Sequence, residues 1–116
     1  MRQALTQKRV VKPSAVTKTT GCFYTAVKIF GDSWTLFIID SLGSGEKRFC
    51  ELERAVAGIN PVTLVNRLKK LEQLGFIDRQ KHTLDKLSVT YLLTEKGAGM
   101  IPVLRTMRAY AEKHLL

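Results

Sequence analysis

Residues that build metal centres, disulfide frameworks and catalytic sites are scarce in this sequence. Two cysteines, Cys22 and Cys50, and two histidines, His82 and His114, are spread over 116 residues without a CxxC, HxxxH or HExxH spacing. The ten acidic residues form no pair that suggests acid–base catalysis, and phosphate-loop, dinucleotide-binding and GxSxG motifs are absent. The sequence therefore predicts no enzyme, no catalytic residues, no cofactor, no metal site and no disulfide framework.

Long apolar runs are also missing. The most apolar segment, WTLFIIDSL at 34–42, is interrupted by Asp40 and has about half of the roughly 18 residues that a transmembrane helix needs. The N-terminus lacks the apolar core and the small-residue cleavage site of a secretory signal. A chain of 116 residues suits one globular domain. We therefore expect a soluble, cytoplasmic, single-domain protein with no membrane partner.

Acidic residues are absent from the first twenty positions, which are polar and lack an apolar period. Five basic residues lie there and leave +4 of the net charge of +9 for residues 21–116: Arg2, Lys8, Arg9, Lys12 and Lys18. We predict that residues 1–20 form a flexible basic arm and that residues 21–116 form the folded domain. A basic excess favours a polyanion as partner, and charge alone leaves nucleic acid and a membrane surface open.

The apolar periodicity predicts four helices in the first two thirds of the chain. The first begins at Gly21, because four apolar residues from Phe23 to Phe30 recur at helical spacing. The second covers 34–42 after a cap at Ser33, and the third covers about 50–56 and stops before Gly58. The fourth begins with Asn60 as cap and Pro61 at its first position, and it ends at Gly75.

The last third of the sequence has strand character and then a helical pattern. Residues 76–80 and 88–93 are predicted strands, separated by the polar loop KHTLDKL. Thr94 opens the last helix, in which Pro102 indicates either a kink or a new start. The fold class is therefore α+β and mostly helical. Two short helices joined by a glycine-containing turn and followed by a hairpin predict a winged helix-turn-helix with a long C-terminal helix.

The fourth helix carries the pattern that points to function. At 100° per residue, Leu64, Leu68 and Leu71 share one face, which we predict to be buried. The opposite side offers an apolar contact, an amide, a hydroxyl and ammonium groups, which suit base edges and phosphates. We predict DNA contacts for this helix and its cap at Asn60, Val62, Thr63, Asn66, Arg67, Lys69 and Lys70. Arg67 borders the buried face. The alternative is a solvated basic face without a partner.

Several motifs in this order resemble the HxlR-type winged-helix transcription regulators. The resemblance runs from Cys22 to about Tyr110 and includes DSWTLFIIDSL, RFCELERAVAGINPVTLVNRLKKLEQLGFIDR, YLLTEKG and IPVLRTM. It implies a repressor or activator that binds double-stranded palindromic operator DNA as a homodimer. It also implies wing contacts, for which Lys81, His82 and Lys86 are the candidates. The alternative for His82 is an exposed loop residue without a DNA contact. The sequence departs from the family pattern at Phe23, where proline is usual, and at Ser88, where arginine is common.

The resemblance implies dimerisation through the N-terminal helix and the long C-terminal helix. The apolar residues that we assign to this interface are Phe23, Val27, Val103, Leu104, Met107, Tyr110 and Ala111. Packing within one chain is the alternative explanation of the C-terminal stripe. A runner-up function is a winged-helix protein-interaction module that does not bind specific DNA.

Cys22 is the candidate redox sensor. It stands at the start of the first predicted helix, just before the apolar residue Phe23, and some members of the family sense oxidants or electrophiles through a cysteine at about this place. The alternative is an inert thiol packed in the core. The sequence leaves the effector open, whether a small molecule or an oxidant.

Overall fold

The computed structural model describes residues 18–82 and 85–116, with side chains for 21–82 and 89–116. The chain divides into two compact units, Met1–Asp32 and Ser33–Leu116. The described part of the first unit is helix α1, Lys18–Phe30, and the turn that follows it. The start of the folded domain was thus predicted too late, because 18–20 are helical. The rest of the predicted arm lies outside the described residues.

The second unit contains the predicted helices and wing strands in the predicted order, together with a short strand and a separate single-turn helix. They are α2 (Ser33–Leu42), β1 (Lys47–Arg48), α3 (Phe49–Ala55), α4 (Pro61–Gln73), β2 (Ile77–His82), β3 (Asp85–Leu93), α5 (Glu95–Ala98) and α6 (Met100–His114). The three strands form an antiparallel sheet in the order β1-β3-β2. This is a winged helix-turn-helix, in which β2 and β3 form the wing.

The core of the second unit lies between α2, α3, α4 and the base of the sheet. The side chains of Ile38 and Ile39 on α2 and of Leu52 on α3 are fully buried there. The predicted buried face of α4 is confirmed, since Leu64, Leu68 and Leu71 are all buried. Ile77 continues this core into β2. Burial of these branched side chains orients α4, so that its opposite side faces outward.

The turn between α3 and α4 is built around a glycine and an asparagine. Gly58 has φ +88°, a left-handed conformation that a residue with a Cβ rarely adopts. Asn60 has extended backbone angles, and Pro61 follows at the first helical position, where a missing N–H costs nothing. Both features agree with the sequence-based expectation for a helix-turn-helix.

Two boundaries differ from the prediction. Helix α3 begins at Phe49 rather than Cys50, because Glu51 Oε1 accepts a hydrogen bond from the backbone N–H of Arg48 at 2.7 Å. The wing strands run further than predicted, as β2 reaches His82 and β3 begins at Asp85. Most of the predicted polar loop is therefore part of the hairpin.

The C-terminal region resolves the alternative posed by Pro102. Thr94 caps the single-turn helix α5, which ends at Ala98, and a new helix begins at Met100. Pro102 thus lies in the first turn of α6, where a missing N–H is tolerated. Of the two possibilities, a new start is the correct one.

Candidate nucleic-acid interface

The side of α4 opposite the core is exposed over its whole length. Val62 is 66% exposed, although it is apolar, and Asn66, Lys69 and Lys70 are also exposed. Thr63 lies at the margin and is half-buried. Helix α4 therefore presents an apolar group, an amide and two ammonium groups on one surface. These groups can contact the base edges and the phosphates of duplex DNA.

Asn60 fixes the start of this surface. Its Oδ1 accepts hydrogen bonds from the backbone N–H groups of Val62 at 2.7 Å and Thr63 at 3.4 Å. These bonds satisfy two of the four N–H groups that a helix start leaves without partners. The side-chain oxygen of Asn60 is thus committed to the cap, and its amide nitrogen is the group left to reach DNA.

Arg67 and Lys69 lie on the two flanks of the exposed side. Arg67 is half-buried and has a partner within the chain, so it is not purely a surface cation. Lys69 lies at the rim of a cleft of about 310 Å³ that is bounded by α4, the start of α3 and the sheet.

Two residues in this cleft escaped the sequence-based prediction. Arg79 Nε on β2 lies 4.0 Å from Glu72 Oε1 on α4, so an ion pair joins the wing to α4. Tyr91 lies beside them, and burial raises the pKa of its hydroxyl. Arg79 opposes that shift and Glu72 adds to it. Side chains alternate along a strand, so Arg79 lies on the same face of the sheet as Lys81. This spacing in the sequence could have identified Arg79 as a neighbour of the predicted wing contact.

The wing brings Lys81 and His82 to exposed positions at the end of β2. His82 Nε2 lies 3.2 Å from Thr90 Oγ1, and the Thr90 hydroxyl donates to Glu46 Oε1 at 2.9 Å. Because Thr90 gives its one proton to Glu46, its oxygen is the acceptor for His82. His82 is thus held to the sheet rather than lying in a loop. Lys86 belongs to β3, and its side chain lies outside the described residues.

Comparison with known proteins identifies the family. The model of the HxlR-like helix-turn-helix family matches residues 29–116. This chain belongs to that family. The HTH-type transcriptional regulator YodB of Bacillus subtilis is 36% identical over 89 residues, covering 77% of this chain and 80% of YodB. An HTH-type transcriptional regulator of Methanothermobacter thermautotrophicus is 35% identical over 79 residues, covering 68% of this chain and 60% of the relative.

Solved structures show the same relationship. Quinone-bound YodB from B. subtilis has a TM-score of 0.70 and 34% identity, covering 80% of this chain and 98% of YodB. The redox regulator HypR in its reduced form has a TM-score of 0.74 and 26% identity, covering 79% and 91%. These findings confirm the predicted winged-helix fold. They also confirm an HxlR-family transcription regulator, rather than an enzyme, as the functional class.

The HxlR-like chain exposes apolar side chains on α6. Val103, Met107 and Tyr110 are exposed, and Tyr110 is 60% accessible. Leu104 differs, because it is 8% exposed and packs in the core of the second unit. Part of the predicted stripe is therefore explained by packing within the chain, and Ala111 lies half-buried beside the exposed part.

Between α2 and α6 lies an apolar cavity of about 310 Å³. Leu36, Phe37 and Met107 line it, and Asp40 and Arg108 form its polar edge. Arg108 Nη2 lies 3.2 Å from each carboxylate oxygen of Asp40. This ion pair joins the C-terminal helix to the core helix of the DNA-binding fold.

In the first unit, α1 also exposes apolar side chains. Phe23 is 70% exposed, and Val27 one turn later is also exposed. Both were predicted to belong to a dimer interface. In the described chain they are available for contact with a second molecule.

The two cysteines are free and exposed. Because α1 begins at Lys18, Cys22 lies in its second turn rather than at the start of the helix, where the sequence placed it. Its backbone N–H is past the first turn, so Cys22 does not lie among the free N–H groups of the helix start. The alternative of a thiol packed in the core does not apply, since the side chain is exposed. Cys50 is the second residue of α3 rather than its cap.

Within the described residues, no group of three or more histidine, cysteine or acidic side chains is arranged to hold a metal ion. No single helix in the same residues is both long and apolar enough to cross a membrane.

Proposed function

We propose that this HxlR-like chain is a cytoplasmic transcription regulator that binds a palindromic operator in double-stranded DNA as a homodimer. The exposed side of α4 is the observation that carries the proposal. It combines Val62, Asn66, Lys69 and Lys70 on a helix whose opposite side is anchored by three buried leucines. A helix fixed in this way can hold its outward side chains in the major groove with little loss of conformational entropy.

The chemistry of this side assigns a role to each group. The Asn66 amide can bind adenine in the bidentate manner, with its nitrogen donating to N7 and its oxygen accepting from the N6 amino group. Val62 can contact a thymine methyl. Lys69 and Lys70 supply charge for phosphates, which position the helix without reading sequence. Lys81 on the wing extends the same charge beyond the major groove, and His82 and Lys86 are wing candidates of the same kind.

Exposed apolar residues support the homodimer. Large apolar side chains are exposed among the described residues on both helices: Phe23 and Val27 on α1, and Val103, Met107 and Tyr110 on α6. Exposed apolar patches of this kind are typical of protein interfaces. In a twofold dimer each chain would contribute one recognition helix, and a palindromic operator would match that symmetry.

A second candidate function is a response to oxidants or electrophiles through Cys22. The side chain is exposed on α1, one residue before the apolar Phe23 that we assign to the dimer interface. Solved structures of similar regulators support this candidate, because they include YodB in quinone-bound and diamide-treated forms and HypR in reduced and oxidised forms. A covalent change at Cys22 would alter the surface through which the two chains pair.

The proposal is tested by selecting duplexes from a random DNA library with the wild-type protein. The expected result is enrichment of one palindromic sequence, bound by two chains per duplex, with an affinity at least about 1,000-fold above that for a scrambled duplex. Equal affinity for enriched and scrambled duplexes at every salt concentration would contradict specific DNA binding. It would favour the protein-interaction module instead.

A further inference from the structure

The segment at the start of α5 forms three hydrogen bonds with residues 74–76, where the chain leaves α4.

 Three consecutive carbonyl oxygens there each accept one hydrogen bond from the segment Thr94–Lys96. Lys96 Nζ donates to the oxygen of Leu74 at 2.8 Å, and Thr94 Oγ1 donates to the oxygen of Gly75 at 2.6 Å. The backbone N–H of Thr94 donates to the oxygen of Phe76 at 3.1 Å. We call these three hydrogen bonds the α5 clamp.

The clamp meets a requirement of the end of α4. The last carbonyl groups of a helix have no partner within it, and the negative end of the helix dipole favours a cation nearby. Lys96 supplies both a donor and a positive charge, and its Nζ also lies 4.6 Å from the centre of the Phe76 ring. The lysine therefore contacts both the C-terminal cap of α4, Leu74, and the segment that follows it, although its side chain lies at the surface.

Gly97 makes this close approach possible. A Cβ atom at this position would lie 2.0 Å from the backbone oxygen of Phe76 and 3.2 Å from a methyl carbon of Leu93. The backbone N–H of Gly97 is held in turn by Thr94 Oγ1 at 3.1 Å. Backbone touches backbone here, so α5 has little freedom to slide along the end of α4.

The clamp also connects α4 to α6. Gly99 is both the last cap of α5 and the first cap of α6, and its N–H donates to the oxygen of Glu95 at 3.2 Å. Leu104, one turn into α6, is buried in the core. A short, doubly anchored connection thus runs from the end of the recognition helix to the helix that carries the exposed apolar residues.

We propose that Thr94 and Lys96 are positioning residues for operator binding, which act through α4 and do not touch DNA. By fixing the end of α4 to the start of α6, they set the separation of the two recognition helices in a dimer. This inference rests on the proposed function. Base contacts need a fixed helix, whereas phosphate contacts tolerate movement, so loosening the clamp lowers sequence-specific affinity more than general affinity.

The test replaces Lys96 with Met, which keeps the aliphatic length and removes the donor. Lys28→Met is the matched control, because Lys28 is exposed on α1 and has no assigned role. Lys96→Arg retains a charged donor and is expected to restore binding. Lys96→Met is expected to bind the enriched duplex about threefold to tenfold more weakly, the size of one ordinary hydrogen bond lost at the surface. Its affinity for a scrambled duplex should equal that of Lys28→Met.

Half-site spacing gives a readout that a general loss of stability does not move. One base pair inserted between the half-sites should weaken wild-type binding strongly, because the two helices are held at a fixed separation. Lys96→Met should show a smaller penalty for the same insertion. Equal losses for enriched and scrambled duplexes, or an unchanged spacing penalty, would overturn the inference and reduce Lys96 to a surface charge.

A measurement without DNA separates this inference from the proposed function. Amide hydrogen exchange of the backbone N–H groups at the end of α4, Leu74 to Phe76, should be about threefold to tenfold faster in Lys96→Met than in Lys28→Met. Thr94→Val, which lacks the hydroxyl donor, should produce the same change, and Thr94→Ser, which keeps it, should not. This second pair of variants tests the clamp if Lys96→Met fails to fold. If no duplex is enriched, the proposed function fails while exchange still decides on the clamp. Unchanged exchange would overturn the clamp.

Discussion

The side-chain oxygen of Asn60 accepts a hydrogen bond from the backbone N–H of Val62 at 2.7 Å. The first residue of the predicted DNA contacts thus has a structural role in the helix that carries the others. Asn60→Ala removes the acceptor and should lower the free energy of unfolding by about 1 kcal/mol, the usual value of such a cap. Chemical denaturation followed by circular dichroism measures this change.

Asn60→Ser separates the two roles of this residue. A serine hydroxyl caps a helix nearly as well as an asparagine amide, so stability should stay close to the wild-type value. The variant lacks the amide nitrogen that we assign to DNA, and its affinity for the enriched duplex should fall. Wild-type affinity in Asn60→Ser would show that Asn60 acts as a cap alone.

The two sides of α4 should respond to truncation in opposite ways. Leu64 is fully buried, so Leu64→Ala should lower the free energy of unfolding by about 2–5 kcal/mol through lost burial and a cavity. Val62 is exposed, and Val62→Ala should change stability by less than about 0.5 kcal/mol while weakening binding to the enriched duplex. Denaturation and fluorescence anisotropy on both variants check the pair. A large stability loss in Val62→Ala would place that side chain in the core.

The dimer is tested by a charge on the exposed side of α6. Met107→Glu should raise the dimer dissociation constant by about 100-fold or more, because a buried carboxylate without a partner costs several kcal/mol. Sedimentation velocity over a concentration series measures the change. Ala109→Glu is the matched control, since it adds the same charge on the opposite side of α6 and should leave the dimer intact. Equal effects of the two substitutions would argue against an interface at Met107.

The thiol response is tested with benzoquinone, to which a cysteine thiolate adds through its sulfur to give a thioether of the hydroquinone. Treatment should weaken binding of the wild-type chain to the enriched duplex, and Cys22→Ser should resist it. Cys50→Ser is the matched control, because Cys50 is also exposed and should leave the response in place. A response that persists in Cys22→Ser, as followed by anisotropy and mass spectrometry, would exclude Cys22 as the sensor.

The sequence was most informative where periodicity and turn chemistry act locally. Leu64, Leu68 and Leu71 were assigned to the core from their spacing alone, and Asn60 was assigned as the cap from its residue type. Both features depend on residues within one or two turns of each other. They are therefore visible without any knowledge of tertiary structure.

Features that depend on distant residues or on weak local signals were missed. The start of α1 at Lys18 has no apolar period to mark it, so the helix was predicted to begin only at Gly21. The start of α3 has no serine or threonine cap. Instead, the side chain of Glu51 accepts a hydrogen bond from the backbone N–H of Arg48. The contact of Lys96 with Leu74 joins residues 22 positions apart and has no counterpart in the sequence pattern.

The central claim is that the exposed side of α4 reads DNA sequence. Asn66→Ala and Lys70→Ala test it together, because an amide that reads a base and a lysine that binds a phosphate have different signatures. Lys70→Ala should weaken binding to all duplexes alike and reduce the slope of affinity against salt by about one.

Asn66→Ala provides the most direct measurement, which is the ratio of affinities for the enriched and scrambled duplexes by anisotropy at fixed salt. The ratio should fall by about 5-fold to 150-fold, as expected from the loss of a bidentate contact worth about 1–3 kcal/mol. An unchanged ratio in Asn66→Ala would contradict the claim that this side of α4 reads the operator.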